Sequence, residues 1–130
     1  MQEKTKFRKF ITSTGKLLLA GKNAEQNEDI IKQVASNEIV LHTEAAGSPF
    51  VNIKGSADKK DIQEAAIFCA KYSRDWKKNK RDIEVHYFYS KDVYKDKSMK
   101  IGTFGVKNFK KIIVKKKDIE KQMETKNESD

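Results

Sequence analysis

Cysteine and proline each occur once in these 130 residues, and histidine only twice. The lone Cys69 cannot close a disulfide within the chain, which fits a reducing compartment, and on an apolar helical stripe it reads as a small core residue. His42 and His86 stand 44 positions apart, and no C-x-x-C or H-E-x-x-H spacing exists, so no metal site is expected. No apolar run approaches the roughly 18 residues of a membrane span. The start, MQEKTKFRKF, lacks the apolar segment of a secretory signal. These absences predict a cytoplasmic protein with no membrane attachment. The phosphate-binding G-x-x-x-x-G-K is missing as well. Ser48, in AAGSPF, is not set in the G-x-S-x-G elbow of a serine hydrolase.

Basic charge is abundant. Lys and Arg number 28 against 19 Asp and Glu, for a net charge of +9. Residues 1–70 hold 10 basic and 9 acidic side chains, whereas residues 71–130 hold 18 and 10, so the excess lies almost entirely in the second part. Such a field attracts polyanions, of which nucleic acid is the commonest in cytoplasm. Lysine supplies 25 of the 28 cations, and a lysine-rich surface also serves solubility or thermal adaptation. Charge alone leaves both readings open.

The pattern along the chain predicts one α+β domain over residues 1–114 and a charged tail, partly helical or disordered, over 115–130. Runs at 7–12 and 16–20 flank Ser13-Thr14-Gly15, the composition of a hairpin turn. Asn23 can cap a helix over 24–35, with Ile30, Ile31 and Val34 on one face. Strands follow at 39–43 and 50–53 around a corner, Gly47-Ser48-Pro49. Asp58 can cap a long helix over 59–78, whose stripe Ile62, Ala65, Cys69, Tyr72 and Trp76 keeps the spacing of a buried face. IEVHYFY at 83–89 reads as a strand, and 101–106 and 112–114 as two more. From Lys115 the sequence favours helix but has too few apolar positions to dock firmly.

Several constellations can carry chemistry. Asn27 lies on the face that the first helix buries, so its amide must be satisfied, either by a neighbouring strand or loop or by a ligand. Lys22 and Asn23 stand at the start of that helix, where exposed amide protons can hold a phosphate. Glu28 can orient a lysine or a nucleotide hydroxyl. His42 ends an apolar run before the corner, either as a packed, hydrogen-bonded ring or as a group that stacks on a base or bonds a phosphate. Gly47 lets a ligand approach the backbone there. Lys71, Arg74 and Lys78, with Lys77 beside them, form a basic stripe that can track phosphates or simply face solvent. Lys107, Lys110 and Lys111 surround Phe109, a loop suited to stacking and phosphate neutralisation. Lys54 adds a further cation after the second strand of the corner.

Four segments taken in order, ITSTGKLLLAGKNAEQNE, LHTEAAGSP, EAAIFCAKYSRDWK and VYKDKSMKIGTFGVK, resemble the NFACT-R family, the module near the C-terminus of the RqcH/NEMF ribosome-quality-control proteins. The resemblance covers roughly residues 7–114. It implies RNA binding without a cofactor, with tRNA and the large ribosomal subunit, its ribosomal RNA and proteins, as targets. It also implies contacts at Lys22, Asn23, Asn27, Glu28, His42 and Ser48. Lys22 stands where the family commonly has arginine, so forked phosphate recognition is unavailable at that position. The expected function is a non-catalytic RNA-binding module whose lysines attract the RNA and whose Asn27 and His42 neighbourhoods share one basic side. The alternatives are a ribosome-associated protein-interaction module, and an RNA-processing or modifying enzyme using His42 with Glu44 or Glu28. Oligomeric state is not readable from the sequence.

Overall fold

Glycine and small hydroxyl side chains turn the chain at once into a hairpin. Strand β1 (Arg8–Ile11) pairs antiparallel with β2 (Leu17–Ala20). Gly15 takes φ 91° at the turn and donates its N–H to the Thr12 carbonyl at 2.9 Å. Helix α1 (Ala24–Gln33) starts where Asn23 Oδ1 accepts the Gln26 N–H at 2.9 Å. β3 (Ile39–Thr43) and β4 (Val51–Ile53) flank the corner. Helices α2 (Lys59–Lys71) and α3 (Arg74–Asn79) come next, then β5 (Ile83–Tyr89) and a short 3-10 turn, Ser90–Asp92. A small ribbon of β6 (Val93–Tyr94) and β7 (Gly105–Val106) precedes β8 (Lys110–Val114), α4 (Lys116–Met123) and β9 (Glu128–Ser129). This computed structural model describes residues 7–124 and the backbone of 128–129.

The main sheet runs β8-β5-β3-β4-β2-β1-β9, and every pairing in it is antiparallel. Alternation sends Leu18, Leu41, Val51, Ile83 and Val85 to one face, where they pack with Phe68, Cys69 and Trp76 of α2 and α3. Val40, Phe50 and Phe88 occupy the other face with Ile30 of α1 and Phe7. Phe104 and Val106, from the excursion between β5 and β8, pack on that second cluster. Helices thus cover both sides, an α+β arrangement as expected. The second face is only partly covered, and the gap becomes the site.

Three local expectations change. The single helix over 59–78 is two helices, because Ser73 Oγ donates to the Ala70 carbonyl at 2.7 Å and accepts the Trp76 N–H at 3.1 Å, ending one helix and capping the next. The strand over 101–106 shrinks to Gly105–Val106: Gly102 adopts φ 83° against Ala24, and Ile101 is 60% exposed. The helix after Lys115 does dock, since Ile119 is completely buried in the core that α2 covers. Residues 1–6, 125–127 and 130, where the domain was expected to begin and the tail to run, lie outside the described residues.

Candidate nucleic-acid interface

A cleft of about 740 Å³ opens on the second face of the sheet. Its floor is the corner from His42 to Phe50, one wall is the start of α1, and the opposite wall is the 101–106 stretch. Arg74 and Lys77 of α3 reach its rim, together with Arg8 and Tyr72. Hydrogen bonds to Ser48 and Gly47 help hold the corner. The Thr43 N–H donates to Ser48 Oγ at 3.2 Å, Ser48 Oγ donates to the Pro49 carbonyl at 2.7 Å, and the Arg74 N–H donates to the Gly47 carbonyl at 2.8 Å. Gly47 needs its φ of 93°, and a Cβ there would lie 2.8 Å from Arg74 Cβ.

Asn27 fastens α1 to the corner. Its Oδ1 accepts the Phe50 N–H at 3.0 Å, and Gly21 leaves the space that this amide fills: a Cβ on Gly21 would lie 2.3 Å from Asn27 Oδ1. Of the two partners considered for the amide, a neighbouring backbone is the one it has. Glu28 does similar work on the far wall. Its Oε2 accepts from Lys95 Nζ and from the Gly102 N–H, each at 2.7 Å. The Lys95 bond, helped by the Gly102 bond, holds the carboxyl below its ordinary range against a smaller opposing effect of burial. Lys95 also donates to the Thr103 carbonyl at 2.8 Å and lies 4.5 Å above the Phe104 ring. Phe104 meets Phe50 edge-on at 5.5 Å.

His42 forms part of the floor. Its Nδ1 lies 2.7 Å from the Thr43 carbonyl, which can only accept, so Nδ1 carries the proton. Burial lowers the pKa of the ring, outweighing the Thr43 bond, and His86 nearby adds to the lowering. Neutral His42 therefore keeps a lone pair on Nε2, for which the described residues provide no hydrogen-bond partner. The ring packs on Phe50 at 4.4 Å between centroids. Directly opposite in the β3–β5 register stands His86, stacked on Phe109 at 4.0 Å and bonded through Nε2 to Glu84 at 2.7 Å.

The cleft brings together Lys22, Asn23, Asn27, His42, Gly47, Ser48, Arg74 and Lys77 from the sequence reading. Asn27 and Ser48 spend their hydrogen bonds on internal backbone, and Glu28 on the wall. Phe109 and Glu44, also named from the sequence, line it too, whereas the remaining lysines do not. Lys54 is tied to Glu38 at 2.8 Å and Gln33 at 2.9 Å, Lys71 lies over the Tyr72 ring at 5.2 Å, and Lys111 is 3.9 Å from Glu84. Lys78, Lys107 and Lys110 are exposed outside the cleft. Arg8, Tyr72, His86 and Phe104 line it without having been singled out. The alternation of β5 places His86 opposite in parity to Tyr87, a usable signal, but nothing local marks Arg8, whose guanidinium sits 3.9 Å above the Tyr72 ring.

The structure is a small α+β domain with a half-covered sheet face and a cation-rimmed cleft. More particularly, the chain belongs to the NFACT protein RNA binding domain family, whose model matches residues 6–108. It is 32% identical over 107 residues to the archaeal Rqc2 homolog aRqcH of Methanocaldococcus jannaschii, a match covering 76% of this chain and 16% of that protein. A solved structure, the C-terminal part of the fibronectin/fibrinogen-binding protein from Streptococcus suis, superposes with a TM-score of 0.80 at 20% identity, covering 93% of this chain and 50% of that one. That likeness concerns the fold alone. The chain thus spans half of the solved chain and a small fraction of the archaeal protein. No helix among the described residues is long and apolar enough to cross a membrane.

Proposed function

We propose that the cleft is an RNA-binding surface, and that the protein serves as a non-catalytic module binding tRNA or the large ribosomal subunit in ribosome-associated quality control. One observation carries the reading: Arg8, Lys22, Arg74 and Lys77 gather around the cleft against a single lining carboxylate, Glu44. Cations that converge on a concavity neutralise phosphates there, while the lysine excess of residues 71–130 supplies long-range attraction. Membership in an RNA-binding family and likeness to an Rqc2 homolog support the choice of polymer and of setting. The hydrogen bonds of Glu28 to Lys95 and Gly102 favour a wall-anchoring role for it over acid–base work with His42, while Glu44, the other acid named with His42, lines the cleft beside it.

Affinity for tRNA measured across a salt series tests this. If each cleft cation neutralises one phosphate, log Kd should change with log salt by about 3, and by about 4 to 5 if six phosphates are engaged. Arg74→Ala combined with Lys77→Ala should lower that slope by about 1.5 to 2. A flat salt response would remove the reading. Crosslinking in cells followed by sequencing of the bound RNA then identifies the target.

A further inference from the structure

The cleft is the wrong size for a helix. Its volume of about 740 Å³ lies within the roughly 300–1,000 Å³ of sites that enclose a single small ligand, whereas double-stranded RNA is bound along broad outer surfaces spanning many base pairs. Its lining is also layered by chemistry. Phe104 and the His42 ring, backed by the buried Phe50, form an aromatic wall and floor, while Lys22, Arg74 and Lys77 stand at the rim. Aromatic surface inside and cations outside is the arrangement that stacks an unstacked base and holds its phosphates. The third element is the lone pair of His42 Nε2. With Nδ1–H committed to the Thr43 carbonyl, Nε2 presents an acceptor with no partner among the described residues. An exocyclic amine of a base, or a ribose 2′-hydroxyl, would satisfy it.

We propose that the cleft receives one unpaired ribonucleotide, extruded from a loop or strand end, with its base against Phe104 and a donor of the nucleotide bonded to His42 Nε2. This deepens the RNA-binding reading and rests on it. Duplex RNA reaches only the rim cations and gains nothing from the floor. Neutral His42 accepts a hydrogen bond, so the nucleotide supplies the proton, and no bond is made or broken covalently.

The test compares a hairpin RNA carrying a four-nucleotide loop with a blunt duplex of equal phosphate count, at one salt concentration, using the full chain. The hairpin should bind about tenfold more tightly, since a buried hydrogen bond and one base stack together are worth about that factor or more. His42→Phe keeps an aromatic ring on Phe50 but removes Nε2, and should erase most of the preference for the loop. Phe104→Leu, which keeps the wall apolar, should reduce the preference without touching His42, and circular dichroism checks that each variant is folded. Equal binding of hairpin and duplex by the parent protein, with a normal salt slope, would overturn nucleotide capture and leave the RNA-binding reading standing. Absence of salt-dependent binding to either RNA would overturn both. A preference for the hairpin that survives both substitutions would place the loop elsewhere and also defeat the proposal.

Discussion

Asn27 and His42 illustrate how far single residues can be read. A polar amide on the apolar face of an amphipathic helix signals an internal hydrogen bond, and Asn27 makes one to the Phe50 N–H. What the sequence could not reveal was the partner, 23 positions away, because only the sheet brings it there. His42 was legible as a ring beside a corner, with its role open. Its environment now sets a pH dependence. Burial lowers its pKa in the folded chain, so as pH falls below the ordinary imidazole value near 6.5 the unfolded chain takes up a proton first. Stability is therefore fully present above that value and declines as pH drops toward the lowered folded pKa. Urea midpoints measured between pH 7 and pH 5 should fall more steeply for the parent protein than for His42→Phe; parallel profiles would show that the ring titrates as if exposed. Cys69 behaves as its place on an apolar stripe suggests, since complete burial pushes its thiol up to about 12.

Elements were legible where periodicity is local. The apolar stripe of α2 continues into α3 despite the break at Tyr72-Ser73, because Trp76 returns to the same core, so its phase was readable although the interruption was not. The β1–β2 tip is also fixed from afar. Asp61 accepts from Thr12 Oγ1 at 2.9 Å and from Thr14 Oγ1 while closing a capping box with Asp58. Burial opposes ionisation of Asp61, and these hydrogen bonds outweigh it, leaving the carboxyl below its ordinary range. The excursion from Ser90 to Phe109 was misread in part, since only Gly105–Val106 of the expected 101–106 strand forms; the stretch is placed instead by contacts that span up to 74 positions. Helix α4 was underestimated because Ile119 and Met123 are its only apolar residues, too few for a firm stripe. Ile119 is nonetheless completely buried among the residues of the α2-covered core. Ile119→Ala should cost about 2–5 kcal/mol in urea unfolding, the range for a large-to-small change at a buried aliphatic site. A loss below about 0.5 kcal/mol would mean that α4 is dispensable to the fold.

On the scale of the whole molecule, the larger core and the floor of the cleft lie in different layers, although α3 of the larger layer lends Arg74 and Lys77 to the rim. The larger core lies between the sheet and α2, α3 and α4, whereas the cleft lies in the thinner layer formed by α1 and the excursion. The uneven charge was plain from the sequence, since lysine counts require no fold. Its convergence was not, because Arg8 of β1, Lys22 before α1, and Arg74 and Lys77 of α3 come from three separate parts of the chain that only the fold unites. Composition can announce a polyanion partner, but only topology can say where it sits.

The Glu28 carboxylate then carries an unexpected implication. Simple charge arithmetic says that deleting an acidic side chain from so basic a protein should tighten its grip on RNA. Here the same deletion unhooks Lys95 and Gly102 and lets go of a side of the groove. Glu28→Ala should therefore bind tRNA more weakly despite its extra positive charge, with the salt slope unchanged, and a gain in affinity would show that the anchor is ornamental. An acid that strengthens the hold on a polyanion does so as a hinge pin rather than as a charge.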